Sequence, residues 1–417
     1  MNFSRALKAV TTGIGLASLA ICLSFPSVAA EEKKEKRKTQ VMSQSVGKKV
    51  QAAFDAYAEE RINDAITMLE EIEAKKEFDQ AFVKRLLGNM YAGQKGGADK
   101  AIKLLKEAVD LDVLNPNEHE AAIKLLADLN LQEGNHKEAL SGYKHWMEFS
   151  GKEDPEIYVR MSQAYYQLKQ LDKIIDPADR AIALYKKQKP APYMMKVSSY
   201  YERKMYKEAA EVVSEAISHF PEEGRYWIQL GQFYLLHEDY EKALSSFDLA
   251  HKQGHLKKPN HFVALAQLYA AYAIPYQAAL IQERYMNEGI IAKDEKNLVS
   301  LANYLHQSQE FKKSAKYYQL AAEKTQDPGY YKRIGDLLLM DEDYKKAIVA
   351  YNKAVELGSD KSDKIRLSLI EAHFYSGDYK NAYKIALAAK KEKSTRRSAS
   401  GWLGYIKDTA ERKNVKI

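Results

Sequence analysis

Two Ser-x-x-Lys pairs have the spacing that comes closest to a catalytic motif in this chain. Ser45 precedes Lys48, and Ser141 precedes Lys144. In penicillin-binding enzymes such a serine is an acylated nucleophile with the lysine beside it. The companion Ser-Asp-Asn and Lys-Thr-Gly motifs are missing from the chain. We interpret both pairs as chance matches. Phosphate-binding loops, Gly-x-Ser-x-Gly elbows and His-Glu-x-x-His helices are missing too, so we expect no catalytic residues.

Three closely spaced histidines are the candidate metal ligands: His251, His255 and His261. Metal-binding histidines on a helix need a common face. Gly254 and Pro259 interrupt any such face, since both residues disfavour a helix interior. We therefore predict a solvated loop between helices here, with a metal site as the less favoured alternative. No pattern indicates a cofactor.

The elements that organise the chain follow from one pattern near its middle, Trp-x2-Leu-Gly-x2-Tyr followed by Ala-x3-Phe-x2-Ala. Its residues are Trp227, Leu230, Gly231, Tyr234, Ala243, Phe247 and Ala250. The pattern resembles the helix–turn–helix unit of the tetratricopeptide repeat (TPR) family. Gly231 leaves room for the second helix of the unit, and Ala243 is the small residue through which the second helix contacts the first. One such unit cannot bury its apolar faces alone, so neighbouring units are required.

Residues equivalent to Ala243, most of them small, mark the neighbouring units along the chain. The equivalent positions recur every 33 to 38 residues: Ala65, Ala101, Ala139, Ile174, Ala209, Ala243, Ala278, Ser314, Ala347 and Ala382. This period predicts an all-α fold, an α-solenoid superhelix of about ten TPR-like repeats. Asp239, Asp343 and Asp378 are placed to cap the second helices, and most prolines fall between repeats.

Two repeats depart from the pattern. The segment from Leu87 to Ala101 has a longer turn with several glycines and resembles the related Sel1-type repeat. Ile174 replaces the small residue in another repeat, and Pro177 follows inside the expected second helix. Because proline interrupts helices, we predict a kink or a restarted helix there.

The first thirty residues have the features of a secretory signal peptide. Arg5 and Lys8 precede an apolar run over 9–25, and small residues at 27–30 suit cleavage after Ala29 or Ala30. An uncleaved anchor is the alternative. Cys22 lies in this segment and is the only cysteine, so the mature chain would have no disulfides. We predict a periplasmic protein. No later segment, including 263–274, is long and apolar enough to cross a membrane.

Charge divides the remaining chain into three parts: a disordered leader (31–48), the repeat solenoid (49–393) and a basic capping helix (394–417). The last 28 residues carry nine Lys/Arg against three Asp/Glu, and residues 31–49 carry seven against three, which leaves the repeat body mildly acidic. An acidic body disfavours nucleic-acid binding. The basic ends could contact an anionic membrane surface or simply aid solubility. Trp402, Leu403 and Tyr405 give the last segment an apolar face that can cover the final repeat.

The TPR resemblance implies a concave groove lined by the first helix of each repeat. A row of polar residues is expected there, mainly Gln163, Gln232, Gln267 and Asn303, with Ser198 and Asp336 at the equivalent positions. Apolar and aromatic residues are expected to flank it: Ile228, Val263, Val299, Tyr166, Tyr201 and His306. Side-chain amides both donate and accept, so we expect an extended peptide held by its backbone. The alternative is that these amides are merely solvated and that partners dock on the outer face.

A signal, a charged leader, repeats along the whole chain and the terminal Trp402-Leu403-x-Tyr405 helix resemble periplasmic TPR proteins associated with TonB–ExbB–ExbD energy transduction. That resemblance implies a non-enzymatic adaptor that binds protein partners of a cell-envelope machine. A scaffold of polysaccharide export and a holdase chaperone remain the alternatives.

Overall fold

The structure, a computed structural model, describes residues 37–417. The predicted signal peptide and residues 31–36 of the predicted leader lie outside this range. The described residues form 21 α-helices and one short 3₁₀ helix, with no β-strand. The all-α prediction is confirmed.

The helices follow one another as ten pairs and a final single helix. The first five pairs are α1 (Gln44–Ala58) and α2 (Ile62–Glu70), α3 (Glu77–Ala92) and α4 (Ala98–Asp110), α5 (Pro116–Gln132) and α6 (His136–Ser150), α7 (Pro155–Gln167) and α8 (Ile175–Leu184), α9 (Pro190–Glu202) and α10 (Tyr206–His219). The others are α11 (Gly224–Leu236) and α12 (Tyr240–Lys252), α13 (Pro259–Ala271) and α14 (Pro275–Asn287), α15 (Glu295–Gln307) and α16 (Phe311–Thr325), α17 (Pro328–Met340) and α18 (Tyr344–Glu356), α19 (Ser362–Tyr375) and α20 (Tyr379–Ala389), then α21 (Arg396–Arg412).

Helix starts follow the local signals in the sequence. The side chains of Asp239, Asp343 and Asp378 accept hydrogen bonds from the backbone N–H three residues later, so the predicted N-caps are present. Six helices (α5, α7, α9, α13, α14 and α17) begin at a proline, whose missing N–H costs nothing in a first turn. The proline punctuation therefore marks helix starts.

The turns inside the pairs share a left-handed residue that the sequence did not reveal. Seven non-glycine residues at this point have φ between 56° and 63°: Glu60, Lys169, Lys204, Glu238, Ala273, Gln309 and Glu342. Gly134 and Gly377 occupy the same point in two other turns. In the α11–α12 turn the N–H of Asp239 then bonds the carbonyl of Tyr234 at 2.9 Å. This is the Schellman ending of a helix.

The predicted interruption near Pro177 is present. A 3₁₀ helix over Leu171–Ile174 precedes α8, which begins at Ile175 and includes Pro177 in its first turn. Ile174 is fully buried. The large residue at a position that is small elsewhere therefore coincides with the break. The Gly-rich turn between α3 and α4 also has a steric cause, since a Cβ on Gly97 would lie 2.2 Å from the Tyr91 carbonyl oxygen.

The described chain divides into two compact units. The first comprises residues 37–90 and 104–122, and the second comprises 91–103 and 123–417. In the first unit, the predicted boundary of the leader at residue 48 is corrected, because α1 begins at Gln44. Val46 and Val50 are four residues apart, lie on one face of α1 and are both buried, so their packing stabilises the helix over this segment.

The residues before α1 are held by side-chain hydrogen bonds within the first unit. The Gln40 N–H donates to Asn115 Oδ1 at 2.8 Å, and Arg37 donates to the Asp112 carbonyl at 3.0 Å. Ser43 Oγ donates to the buried carboxylate of Asp79 at 2.6 Å. Residues 37–43 are therefore bound to the fold, which the mixed charge of this segment did not suggest.

In the second unit each helix packs on the next one along the chain, from α6 to α21. The two predicted close crossings are present. A Cβ on Gly231 would lie 2.7 Å from the Phe247 ring, and one on Gly335 would lie 2.5 Å from the Tyr351 ring. Helix α21 packs on α19 and α20 and buries Ile406, with the Trp402 ring centred 5.5 Å from that of Phe374. It lies where a terminal cap is expected.

Candidate peptide-binding face

The first helices of the pairs in the second unit (α7, α9, α11, α13, α15 and α17) carry the predicted polar row. We call the side of these helices that bears Gln163, Gln232, Gln267 and Asn303 the A-helix face. The three glutamines are exposed there, whereas Asn303 is half-buried. One helical turn earlier, Ile228, Val263 and Val299 are half-buried and pack against the hydrophobic core. These three side chains therefore serve mainly as packing residues.

The aromatic positions of the row differ in accessibility. Tyr201 is 52% exposed, and its ring centroid lies 6.2 Å from that of Tyr206 and 6.0 Å from that of Phe233. Tyr166 is half-buried, and the ammonium group of Lys169 lies 5.0 Å from the centre of its ring. His306 is half-buried beside Phe311. Tyr201 is thus the most accessible aromatic ring among these three.

A cleft between α9 and α11 brings three of the predicted residues together. It has a volume of about 500 Å³ and is lined by Val197, Ser198, Tyr201, Gln229, Gln232, Phe233, Leu235 and Leu236. Ser198, Tyr201 and Gln232 share this cleft. Gln163, Gln267, Asn303 and His306 lie on other helices of the row and do not line it.

The cleft combines amide groups with an apolar and aromatic surface. Gln229 and Gln232 each present a donor and an acceptor, which suits the alternating N–H and C=O groups of an extended peptide. Tyr201, Phe233 and Leu236 supply surface on which an apolar side chain could pack. No charged residue lines the cleft, so the surface does not select a charged ligand.

Part of this cleft was missed at the sequence level. Gln229 and Leu236 were not assigned to the site, although they lie on the same face of α11 as Gln232 and Phe233. The spacing i, i+3, i+4 and i+7 of these four residues is the signal that identifies one helical face. The prediction included Ile228, one turn before Gln232, and left out Gln229 and Leu236.

Asn303 differs from the expectation because its oxygen is already engaged. Tyr318 Oη donates to Asn303 Oδ1 at 2.5 Å, across the two helices of one pair. Tyr351 donates to Asp336 at 2.9 Å and Tyr143 donates to Asp128 at 2.7 Å, each again 15 residues apart. We call these three contacts the tyrosine braces. At Asn303 and Asp336 the polar row therefore serves the fold, and replacing Asn303 by alanine would disturb it.

The electrostatics of the braces favour the neutral phenol. Burial raises the pKa of Tyr143 and of Tyr351, and the neighbouring carboxylates of Asp128 and Asp336 raise them further. Burial also raises the pKa of Tyr318. Each hydroxyl therefore remains a hydrogen-bond donor throughout the neutral pH range.

The residues first considered for chemistry are placed as follows. Ser45 and Lys48 are exposed on α1, and Ser141 and Lys144 are exposed on α6. His251 Nε2 lies 2.8 Å from Tyr285 Oη, and His261 is buried beside Phe247. Among residues 37–417 no group of three His, Cys, Asp or Glu side chains is arranged to hold a metal ion.

None of the helices in the described range is both long and apolar enough to span a bilayer. Helix α13, which contains most of the apolar 263–274 segment, has 13 residues. A spanning helix needs about 20.

Comparison with known proteins identifies the repeat type. Residues 194–254, from within α9 to just beyond α12, match the tetratricopeptide repeat family. No curated protein sequence matches the chain. The matched segment includes every residue that lines the cleft and the Gly231–Phe247 crossing.

Solved structures with similar folds are TPR proteins at low identity. YrrB, described as a TPR protein with an unusual peptide-binding site, is 15% identical over 49% of this chain and 99% of its own, with a TM-score of 0.35. A tetratricopeptide repeat protein from Parabacteroides merdae is 15% identical over 70% of this chain and 98% of its own, with a TM-score of 0.36. The yeast Sti1 TPR2AB domain, solved in complex with an Hsp90 peptide, is 15% identical over 61% and 98%, with a TM-score of 0.31.

Proposed function

We propose that this chain of helical repeats, tetratricopeptide repeats over residues 194–254, is a non-enzymatic scaffold that binds an extended segment of a protein partner. The observation that supports the proposal is the cleft between α9 and α11. The exposed side chain of Gln232, the half-buried Gln229 and the accessible ring of Tyr201 meet there on an uncharged surface. Such a surface recognises backbone groups and apolar side chains.

The scaffold is proposed to act in the periplasm, as an adaptor of a cell-envelope machine such as a TonB–ExbB–ExbD system. The signal-peptide pattern of residues 1–30 and the arrangement of the whole chain support this assignment. Determining the N-terminus and the compartment of the mature protein tests it. We expect a chain that begins at Ala30 or Glu31 and is released with the periplasmic fraction. A full-length chain, or one retained in the cytoplasm, would contradict it.

Site-specific crosslinking in intact cells tests the binding proposal. A photoreactive amino acid replaces Gln232, which lies in the cleft, and a matched variant carries it at Ser245, which is exposed on α12. We expect a discrete adduct from position 232 and none from position 245. The crosslinked partner is then identified by mass spectrometry.

The identity of the adduct separates the proposed adaptor from its alternatives. One stoichiometric envelope protein supports the adaptor, and a TonB-system component supports the finer assignment. Many unfolded outer-membrane proteins would instead indicate a holdase, and synthase or export components would indicate polysaccharide export. Equal adducts from both positions, or none from position 232, would place the binding site elsewhere.

A further inference from the structure

A second groove lies between the second helices of two successive pairs, α16 and α18, away from the A-helix face. We propose that this groove binds an acidic amphipathic helix of a protein partner. The proposal concerns a surface that the scaffold function does not use. It rests on the shape of the groove, the cause of that shape and the charge at its rim.

The groove has a volume of about 570 Å³ and an apolar floor. Ala315 of α16, Ala350 of α18 and the residues Tyr331, Ile334 and Leu338 of α17 form this floor. Val349 stands beside the floor and is 70% exposed, the largest exposed fraction among the large apolar side chains of α15 to α21. An apolar side chain this exposed on a helix surface is well placed to contact a partner.

Ala350 explains why the groove is open. Ala350 lies three residues after the small repeat position at Ala347, where three other second helices have Ile281, Tyr317 and Ile385 and two have the small residues Gly142 and Ser246. In the preceding contact, between α14 and α16, the large Tyr317 is buried and donates to Glu283 at 2.5 Å. The methyl group of Ala350 leaves the equivalent space unfilled, and a side chain from a partner can occupy it.

The rim of the groove is positively charged. Lys312 and Lys316 of α16 face Lys346 and Lys353 of α18, and no acidic residue lines the groove. The nearby carboxylates lie at the ends of helices: Asp343 pairs with Lys346 at 2.6 Å, Glu356 with Lys353 at 2.9 Å, and Asp341 lies 3.8 Å from Lys312. Lys316 contacts the Tyr317 ring, 5.7 Å from its centre, and pairs with no carboxylate of the described chain.

These features fit a helix better than an extended peptide. The walls of the groove are α-helices, whose interior backbone groups are already hydrogen-bonded to each other. Gln319 is the only amide side chain in the lining, so an extended backbone would lack partners. A helix satisfies its own backbone and presents apolar residues at i, i+3 and i+4 to the floor. Glutamates or aspartates beside that stripe would meet the four lysines.

A designed peptide provides the probe. A fluorescein-labelled helical peptide of about four turns carries leucines at i, i+4, i+7 and i+11, with glutamates flanking this stripe and alanines elsewhere. A control peptide has lysines in place of the glutamates. With the purified full chain, fluorescence anisotropy should show saturable binding of the acidic peptide at least about tenfold tighter than that of the control, a gap that a few rim contacts can supply.

Three variants locate the binding site. Ala350→Tyr fills the space as Tyr317 does and should weaken acidic-peptide binding by about tenfold or more. Its control, Ser245→Tyr, adds the same side chain at an exposed site on α12 and should bind like the parent. Lys316→Glu combined with Lys353→Glu should reverse the preference, so that the lysine peptide binds more tightly. This reversal remains informative even if Ala350→Tyr fails to fold.

Several outcomes would overturn the proposal. They are no saturable binding of the acidic peptide, equal binding of both peptides, or an unchanged affinity in both the Ala350→Tyr protein and the double lysine variant. Binding to phosphatidylglycerol vesicles that is lost in the double lysine variant, without peptide binding, would assign the groove to a membrane surface instead.

Discussion

At the scale of single residues, hydrogen-bond partners decide which polar side chains are available to a ligand. Gln232 and Asn303 occupy equivalent positions in two repeats. Phe247 lies 15 residues after Gln232 and has no hydroxyl group. Tyr318 lies 15 residues after Asn303, and its hydroxyl donates a hydrogen bond to the side-chain oxygen of Asn303. Gln232 consequently remains free to reach into the cleft, while Asn303 holds two helices together.

A test of the close crossings is Gly231→Leu. Because even a Cβ at residue 231 would lie 2.7 Å from the Phe247 ring, the larger side chain must displace this ring. We expect a loss of ~1–3 kcal/mol in the free energy of unfolding, measured in urea. Gly401→Leu is the control, since a Cβ at Gly401 meets nothing within 4 Å. Equal loss in the two variants would show that the Gly231 crossing is not specifically tight.

Buried histidines should make stability depend on pH. Burial lowers the pKa of both His251 and His261 below the ordinary 6.5. At His261 the charge of Lys258 lowers the pKa further. At His251 the charge of Asp248 opposes the decrease, and the charges of Arg284 and Lys252 add to it. The unfolded chain therefore takes up protons first, so stability is full above pH 6.5 and falls as the pH drops below it.

Replacing His261 by leucine should reduce this pH dependence. The free energy of unfolding of His261→Leu, measured between pH 7.5 and 5 by urea titration, should decline less steeply than that of the parent. Ser245→Leu, at an exposed position whose side chain does not titrate, is the control and should keep the parent's slope. A parental slope in His261→Leu would show that His261 is not a source of the pH dependence.

At the scale of elements, helix starts are determined locally and the turns store some strain. Aspartate caps and prolines fix where helices begin, and both signals are readable in the sequence. The turn residues are different, because Lys, Glu, Gln and Ala give no local indication of a left-handed conformation. The repeat stacking imposes that conformation on them.

Relieving one of these turns should stabilise the protein. Ala273 has φ 56° and lies on the surface, so its side chain offers no compensating contact. Ala273→Gly should raise the free energy of unfolding by about 0.5–1 kcal/mol, as the relieved strain of ~1–2 kcal/mol exceeds the added entropy of the unfolded chain. The reverse change at the equivalent turn, Gly377→Ala, should lower it by a similar amount. The midpoint of thermal unfolding is measured for both variants. Midpoint shifts of the same sign in the two variants would contradict the proposed strain in these turns.

The sequence predicted the elements better than it predicted the site. The ten helix pairs followed from residues spaced by one repeat, which are small in nine of the ten pairs because close packing of two helices favours a small residue at the crossing. The start of α1 at Gln44 was not predicted, because the charged residues of the leader gave no indication that Val46 is buried. The cleft was missed in part because its shape depends on two neighbouring repeats, and the tyrosine braces because they join residues of different helices.

At the scale of the whole molecule, the described helices provide two kinds of surface. The cleft between α9 and α11 offers glutamines and an accessible tyrosine without a charged residue in its lining, whereas the groove between α16 and α18 offers an apolar floor with four lysines. The cleft lies on first helices of two pairs, whereas the groove lies mainly between second helices of two other pairs. A repeat protein can thereby hold chemically different segments while its helices stay the same.

The most direct test of the scaffold proposal is the affinity of a selected peptide for variants of the A-helix face. Twelve-residue peptides are selected from a random display library against the purified protein, and the tightest binder is measured by calorimetry. Tyr201→Ala combined with Gln229→Ala and Gln232→Ala should weaken it by about tenfold or more and preserve the circular-dichroism spectrum. The control, Ser245→Ala combined with Glu241→Ala on α12, should bind like the parent. An unchanged affinity in the cleft variant would contradict the proposal that this face binds peptides.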